Sequence, residues 1–392
     1  MKVLMVHDYY QQRGGEDASF EAELSLLRAG GVDVEAYTVH NDEVSAMSPL
    51  QVGLVTVWNA RQQEKLHRLL LEKRFDVVHF QNTFPLISPA PIRTAKRLGA
   101  AVVQSVRNYR LACVNGLFFR DGRVCEDCLG RLLQLPGIAH ACYRGSRAAS
   151  ATVAAMNLLH RALGTWRDHV DVFIALSAFT REKLVEIGLP RESIYVKPNV
   201  VMPDPGPGDG SGGYAAFVGR LSPEKGLDVL LTAWESIGGK LPLHVVGDGP
   251  LRGAVAAVAE RAGAAVVYRG QLSGPEVLEV LGRAAVLVFP SVWYETFGRV
   301  AIEALARGTP VIVSNMGAMS ELVEDGVTGF RFAAGDAADL VRAVERFLAD
   351  DTDRAAMRAR ARETYLERYS PEVNLAMLRE AYETALLRAR SA

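Results

Sequence analysis

Residues Phe217 to Gly226 read Phe-Val-Gly-Arg-Leu-Ser-Pro-Glu-Lys-Gly and continue the apolar run that starts at Ala215. A strand that stops at glycine, a short polar loop and an apolar helical pattern from Gly226 to Ser236 together open a βαβ unit. Downstream the alternation continues through strands Leu243 to Val246, Ala265 to Tyr268, Val286 to Phe289 and Pro310 to Val313, with helices Leu251 to Arg261, Pro275 to Leu281 and Gly298 to Ala306 between them. Upstream the same rhythm runs through Val3 to Val6, Glu16 to Ala29, Val34 to Thr38, Ala60 to Arg74, Val77 to Phe80 and Ala101 to Ser105, and resumes with Val172 to Leu176 and Ala178 to Ile187. Strands separated by single helices imply parallel sheets. The two series meet at Pro203 to Gly213, where proline, glycine and small polar residues exclude both helix and strand and predict a linker.

The expectation is an α/β protein of two Rossmann-like domains facing across a cleft, residues 1–200 and 201–369, with a helix over 370–392 returning to the N-terminal domain. A length of 392 residues suits two such domains, because single cores stop growing near ~250 residues. Ligands of open parallel sheets sit beyond the carboxyl ends of the strands, so the strand-end loops are where chemistry is sought. The rhythm fails over residues 109–147, a loop-rich insertion that holds all four cysteines.

Hydrophobic residues make up 49% and charged residues 23%, the balance of a soluble globular chain rather than a disordered one. Met1 to Val6 is too short an apolar run for a signal peptide, and no stretch approaches the ~20 apolar residues of a bilayer span, so a cytoplasmic location is expected. The net charge of -1 is unevenly spread. Residues 91–170 hold twelve Arg or Lys against four acids, which leaves the rest of the chain at about -9. This asymmetry fits an anionic acceptor or a peripheral contact with the inner membrane face, and equally fits a solvated basic surface. No nucleic-acid partner is implied.

In the loop after Val218, Gly219 permits close backbone approach, Arg220 forks onto phosphate oxygens and Lys225 adds a point charge beside a helix N-terminus, a combination that would hold a diphosphate. A surface turn with incidental charges is the plainer reading of this motif alone. The stretch Pro290 to Glu303 places Glu295 after a strand and Glu303 within the next helix, with Thr296, Phe297 and Gly298 offering backbone amides at the helix start. Carboxylates eight apart span at most roughly 12 Å along a helix, so the two could contact separate groups of one extended ligand. Capping and solvation are the ordinary roles of such glutamates.

In order, Gly219 to Gly226, the Gly-Asp-Gly-Pro turn at Gly247 to Pro250, Glu295 to Glu303, and Gly308 to Val311 resemble the pattern of glycosyltransferase family 4, which has the GT-B fold. The resemblance covers the second domain by motif and the first by architecture. It implies a retaining hexosyltransferase that moves a sugar from a UDP- or GDP-linked donor to a hydroxyl acceptor, free, anionic or lipid-linked, as in polysaccharide, glycolipid or glycosylated natural product synthesis. On that resemblance the catalytic set is Arg220, Lys225 and Glu295, with the two cations stabilising the leaving diphosphate in place of a metal. Glu303 would hold the ribose, Thr296, Phe297 and Gly298 the sugar, Arg269 the base through its backbone, and Gly219, Asn199 and Gly15 would border the donor. Retention in this family is ascribed to front-face attack, so no carboxylate nucleophile of the glycosidase kind is assigned.

In the first domain Gly14, Glu16, Arg107 and Asn108 are the acceptor-side candidates. Arg107 stands at a strand end where many relatives carry histidine. No cofactor is required for transfer. Cys113, Cys125, Cys128 and Cys142 make Cys-x11-Cys-x2-Cys-x13-Cys, open to three readings: a structural zinc, a disulfide pair or plain thiols. A sugar-nucleotide epimerase or coupling enzyme of the same fold and a non-catalytic sugar-nucleotide-binding protein are the competing functions. A nicotinamide dehydrogenase is disfavoured, because Arg252 occupies the third glycine position of the dinucleotide fingerprint.

Overall fold

The computed structural model describes residues 1–391, which divide into two compact units. Unit 1 comprises residues 1–118, 126–202 and 374–391; unit 2 comprises 119–125 and 203–373.

Unit 1 begins with β1 (Lys2–Tyr9), α1 (Gly15–Ala29) and β2 (Asp33–His40), followed by α2 (Pro49–Val57) and α3 (Ala60–Glu72). It continues with β3 (Val77–Asn82), α4 (Ala90–Arg97) and β4 (Ala101–Val106). The insertion contributes a small antiparallel hairpin of β5 (Phe119–Arg120) and β6 (Arg123–Val124), which groups with unit 2, and the short α5 (Leu135–Ala139). Then come α6 (Arg147–Ala162), β7 (Val172–Ala175), α7 (Ala178–Glu186) and β8 (Ile194–Val196).

The sheet of unit 1 is parallel with order β2-β1-β3-β4-β7-β8, so the order reverses at β1. β1 is a near-continuous apolar run because both its faces are covered. Val3 and Met5 pack against Phe20 and Leu27 of α1 and against Leu378 and Tyr382 of the C-terminal helix, while Leu4 and Val6 pack against Leu66 of α3 and Ile92 of α4. Alternate strand residues thus feed two separate layers.

Unit 2 carries β9 (Ala215–Val218), α8 (Leu227–Ile237), β10 (Leu243–Val246), α9 (Arg252–Ala262), β11 (Val266–Gly270), α10 (Gly274–Arg283) and β12 (Val286–Phe289). After it come α11 (Arg299–Ala306), β13 (Val311–Ser314), α12 (Met319–Leu322), β14 (Gly329–Phe332), α13 (Ala337–Leu348) and α14 (Arg354–Arg368); α15 (Pro371–Ser391) leads back into unit 1. The parallel order is β11-β10-β9-β12-β13-β14, with its reversal between β9 and β12. Phe217, Val245, Val288 and Ile312 of the strands bury against Leu230 and Trp234 of α8 and Val344 and Phe347 of α13.

The proline- and glycine-rich stretch after Met202 differs from a loose linker. Arg307 donates to the carbonyls of Pro205 and Gly206 at 2.7 and 2.9 Å, Arg358 to that of Gly208 at 3.0 Å, and Arg362 pairs with Asp204 at 2.6 Å. Backbone that cannot pair in a ladder is instead satisfied by arginine forks from α14 and the end of α11.

Candidate functional site

The reversal of strand order in unit 2 places the ends of β9 and β12 side by side, the position at which open parallel sheets bind ligands. β9 ends at Gly219, and the loop to α8 carries Arg220 and Lys225. Two glycines here are fixed by the fold. At Gly226 φ is +67°, and a Cβ would overlap the Pro290 carbonyl oxygen; at Gly247 φ is +141°, and a Cβ would overlap that of Gly219. The strand-end loops of β9, β10 and β12 therefore touch through bare backbone, which glycine alone permits.

Lys225 is the fixed cation of the pair. Its Nζ donates to Glu295 Oε1 at 2.6 Å and lies 5.3 Å from the centroid of the Trp293 ring. Ser291 Oγ donates to the same carboxylate oxygen at 2.7 Å. Glu295 is buried, so an unpaired charge there would be costly, and Lys225 with Ser291 partners and orients its carboxylate. Arg220 differs: it is exposed and makes no side-chain hydrogen bond or ion pair among the described residues. One cation is held in place and the other is open.

Thr296, Phe297 and Gly298 are buried and lead into α11, whose cap is Gly298. On that helix Glu303 Oε1 accepts from Arg299 Nε at 2.9 Å, leaving the carboxylate half-buried and already partnered. Arg269 is exposed near the end of β11 with a guanidinium nitrogen 3.3 Å from His244 Nδ1. The structure thus gathers Gly219, Lys225 and Glu295 at one point of the sheet, with the Arg220 loop and the start of α11 attached to it.

In unit 1 the corresponding strand ends hold a different chemistry. Gly14 and Gly15 open α1; Asp17 accepts from the Gly14 amide at 2.9 Å and from His7 Nε2 at the same distance. A Cβ at Gly15 would meet nothing within 4 Å, and one at Gly14 only the Gln12 carbonyl at 4.0 Å, so packing does not impose glycine at either position. Glu16 Oε1 accepts from Asn108 Nδ2 at 2.9 Å. Arg107 is buried, and its guanidinium is committed within the protein: Nε donates to Gln81 at 2.8 Å, one terminal nitrogen to Asn199, and the other pairs with Glu23 at 3.1 Å. Arg107 and Asn199 therefore brace each other and offer little to a ligand directly.

Around that arginine lies a buried charge network absent from the sequence-level candidates. Lys197 Nζ donates to Glu23 Oε1 at 2.7 Å, and Gln81 Nε2 to Glu23 Oε2 at 2.6 Å. Burial alone would raise Glu23, but Lys197 and Arg107 together hold it well below the usual carboxylate range. His79 sits beside them, bonded to Tyr382 and Ser105, and burial pushes it down to about 3, so it is neutral. The one sequence signal for this network is Glu23 itself, a charge in the inward register Phe20-Glu23-Leu27 of α1. A polar cavity at the ends of β3 and β4, lined by Gln81, Asn82, Gln104, Arg107 and Asn108, has a volume of about 50 Å³. That is room for ordered water beside Arg107.

Among the described residues no three or more His, Cys, Asp or Glu side chains come together as a metal site. Cys113 is buried, its thiol donates to Asn115 Oδ1 at 3.0 Å, and burial raises its pKa above the ordinary thiol value.

Two family models match the chain, "Glycosyl transferase 4-like domain" over residues 14–200 and "Glycosyl transferases group 1" over residues 208–364. The chain belongs to this glycosyltransferase family. Its fold is GT-B, as in HepE of Anabaena solved in complex with UDP and glucose, which superposes with a TM-score of 0.66 over 98% of this chain and 99% of that one at 16% identity. Glycogen synthase of Mycobacterium tuberculosis is 39% identical over 150 residues, covering 37% of this chain and 36% of that protein. D-inositol 3-phosphate glycosyltransferase of Arthrobacter is 24% identical over 408 residues, covering 95% of this chain and 90% of the other. Curated relatives at 30% identity or more are matched over less than half of their own length.

Proposed function

We propose that this glycosyltransferase moves a hexose from a UDP- or GDP-sugar to a hydroxyl acceptor with retention of anomeric configuration. The observation that carries the reading is the pair of cations at the β9–β12 switch point, Lys225 locked on Glu295 and Arg220 left open. Departure of a nucleoside diphosphate builds negative charge on the phosphate oxygens, and preorganised donors act most strongly where charge develops. Lys225 needs no reorganisation when that charge appears, and Arg220 closes on the phosphate as a fork. The UDP held by HepE supports a nucleotide as leaving group.

In this reading Glu303 accepts hydrogen bonds from the ribose hydroxyls, which requires it to exchange part of its pairing with Arg299. Glu295, with the amides of Thr296, Phe297 and Gly298, orients the hexose, and the Arg269 backbone meets the base. The acceptor hydroxyl attacks from the face the diphosphate leaves, and the departing phosphate oxygen takes its proton. Transfer itself is metal-independent. Glu16 and Asn108 border the acceptor, with Gly14 and Gly15 leaving open space beside them, and Arg107 acts through Asn199 as a positioning residue. The reaction is placed in the cytoplasm with peripheral contact at the inner membrane face; among the described residues no helix is long and apolar enough to cross a membrane.

The test is to incubate the chain with UDP- and GDP-hexoses and a panel of hydroxyl acceptors, then read the released nucleoside diphosphate and the anomeric coupling of the product by NMR. A new glycosidic bond with the donor's anomeric configuration supports the proposal; inversion, or epimerised donor without transfer, contradicts it. Elemental analysis decides the cysteines. About one zinc per chain supports a structural zinc drawn together from the present arrangement; no metal with four titrating thiols removes it, and two missing thiols indicate a disulfide.

A further inference from the structure

Unit 1 exposes an apolar face that takes no part in the chemistry above. α6 turns Val153, Met156, Asn157 and His160 inward, and its opposite side presents Ala148, Thr152, Ala155, Leu159 and Ala162, exposed or half-exposed, at the spacing of one helical stripe. α2 borders this stripe on one side. Gly53 lies against Thr152, the Val57 carbonyl accepts from His160 Nε2 at 2.9 Å, and the Trp58 and His160 rings stack at 5.4 Å. On the other side Asn157 Nδ2 donates to Gln134 at 2.9 Å and Arg161 to the Arg131 carbonyl at 2.9 Å, which fixes the segment entering α5. These two flanks show Leu50 and Leu54, 74% and 62% exposed, and Leu132, Leu133 and Leu135, 61%, 52% and 59% exposed. Single exposed leucines are ordinary on a protein surface, but five on adjoining elements mark an interface.

The segments that form this face are basic or uncharged. No acid occurs between Asp127 and Asp168, whereas Arg131, Arg144, Arg147, Arg161 and Arg167 all do, and between Glu43 and Arg61 there is no charged side chain at all. We propose that this face docks on an anionic lipid surface, with the leucines at the boundary of headgroups and acyl chains and the arginines on the lipid phosphates. Shallow insertion of apolar side chains and attraction of basic ones add in such a contact. A second copy of the chain is a poorer occupant, because a two-fold contact sets the same arginine rim against itself. The inference rests on the peripheral membrane contact proposed above and gives it a surface; it is separate from the transfer chemistry, since none of the residues proposed for the donor lies in α2, α5 or α6.

Flotation of the full chain with vesicles of phosphatidylcholine, with and without phosphatidylglycerol, tests it. The chain is expected to float with the anionic vesicles and to be released by salt. Arg144→Glu/Arg147→Glu and Leu132→Glu/Leu133→Glu should each lower the bound fraction at least about ten-fold without moving the thermal unfolding transition, because all four side chains are exposed. Failure of the wild-type chain to float with anionic vesicles overturns the proposal, as does equal binding by both variants. Concentration-dependent dimerisation that Leu54→Glu abolishes, without vesicle binding, overturns it in favour of a contact between copies. Since the readout is binding, a negative result leaves the transferase reading to stand or fall by its own assay.

Discussion

Replacing Lys225 by methionine should harm stability and turnover by separable routes. Its Nζ is 2.6 Å from a Glu295 oxygen, with the two side chains 19% and 6% exposed. Removing one partner of a fully buried pair costs ~3–5 kcal/mol, and discounting for the exposure of the lysine leaves about 2–3 kcal/mol. For a unit of this size that lowers the unfolding midpoint by roughly 4–12 °C. Adding Glu295→Gln removes the stranded charge while Ser291 can still bond the amide, so the double variant should recover most of the loss. Turnover should not follow. Without the fixed cation, stabilisation of the leaving diphosphate should fall by about two to three powers of ten in both single and double variants. Scanning calorimetry and initial rates on the same preparations separate the two. A single variant as stable as the wild type refutes the energetic role of the pair, and a double variant with restored turnover refutes the catalytic one.

Arg220→Ala should weaken nucleoside diphosphate binding by about ten-fold or more, the loss of a charge-assisted fork, with no shift in thermal midpoint because the side chain is unengaged; calorimetric titration and thermal unfolding read the two. Gly247→Ala should destabilise unit 2 by several kcal/mol, through a positive φ and overlap with the Gly219 carbonyl, read as a lowered denaturation midpoint. Glu303→Ala should reduce nucleotide affinity while leaving circular dichroism unchanged. Burial holds His160 down to about 4 against an ordinary 6.5, so below pH 6.5 the unfolded chain takes the proton first. Stability should therefore fall by about 3 kcal/mol between pH 6.5 and 4, and His160→Asn should flatten that limb of the denaturation profile.

The fold and the second-unit loops were legible because their signals are local. Strand, glycine, cation and helix follow one another within ten residues at Phe217 to Gly226, and the glycines there are dictated by backbone contact. Arg107 was legible only as a cation at a strand end. What it does depends on Glu23, 84 positions earlier, and Asn199, 92 later, and partners so distant leave no periodic trace. Composition marked the residues after Met202 as a linker, but their order comes from Arg307, Arg358 and Arg362 on distant helices. The spacing of the four cysteines suggests a cross-link, and the fold adds what spacing could not show, that Cys113 is buried with its thiol on Asn115.

The most direct test of a nucleoside diphosphate site at the β9–β12 switch point is calorimetric titration of the wild-type chain with UDP and with GDP, repeated on Arg220→Ala. The account predicts saturable binding of one of them, weakened about ten-fold or more by the substitution. No heat with either nucleotide on folded protein, or binding indifferent to Arg220, would contradict it.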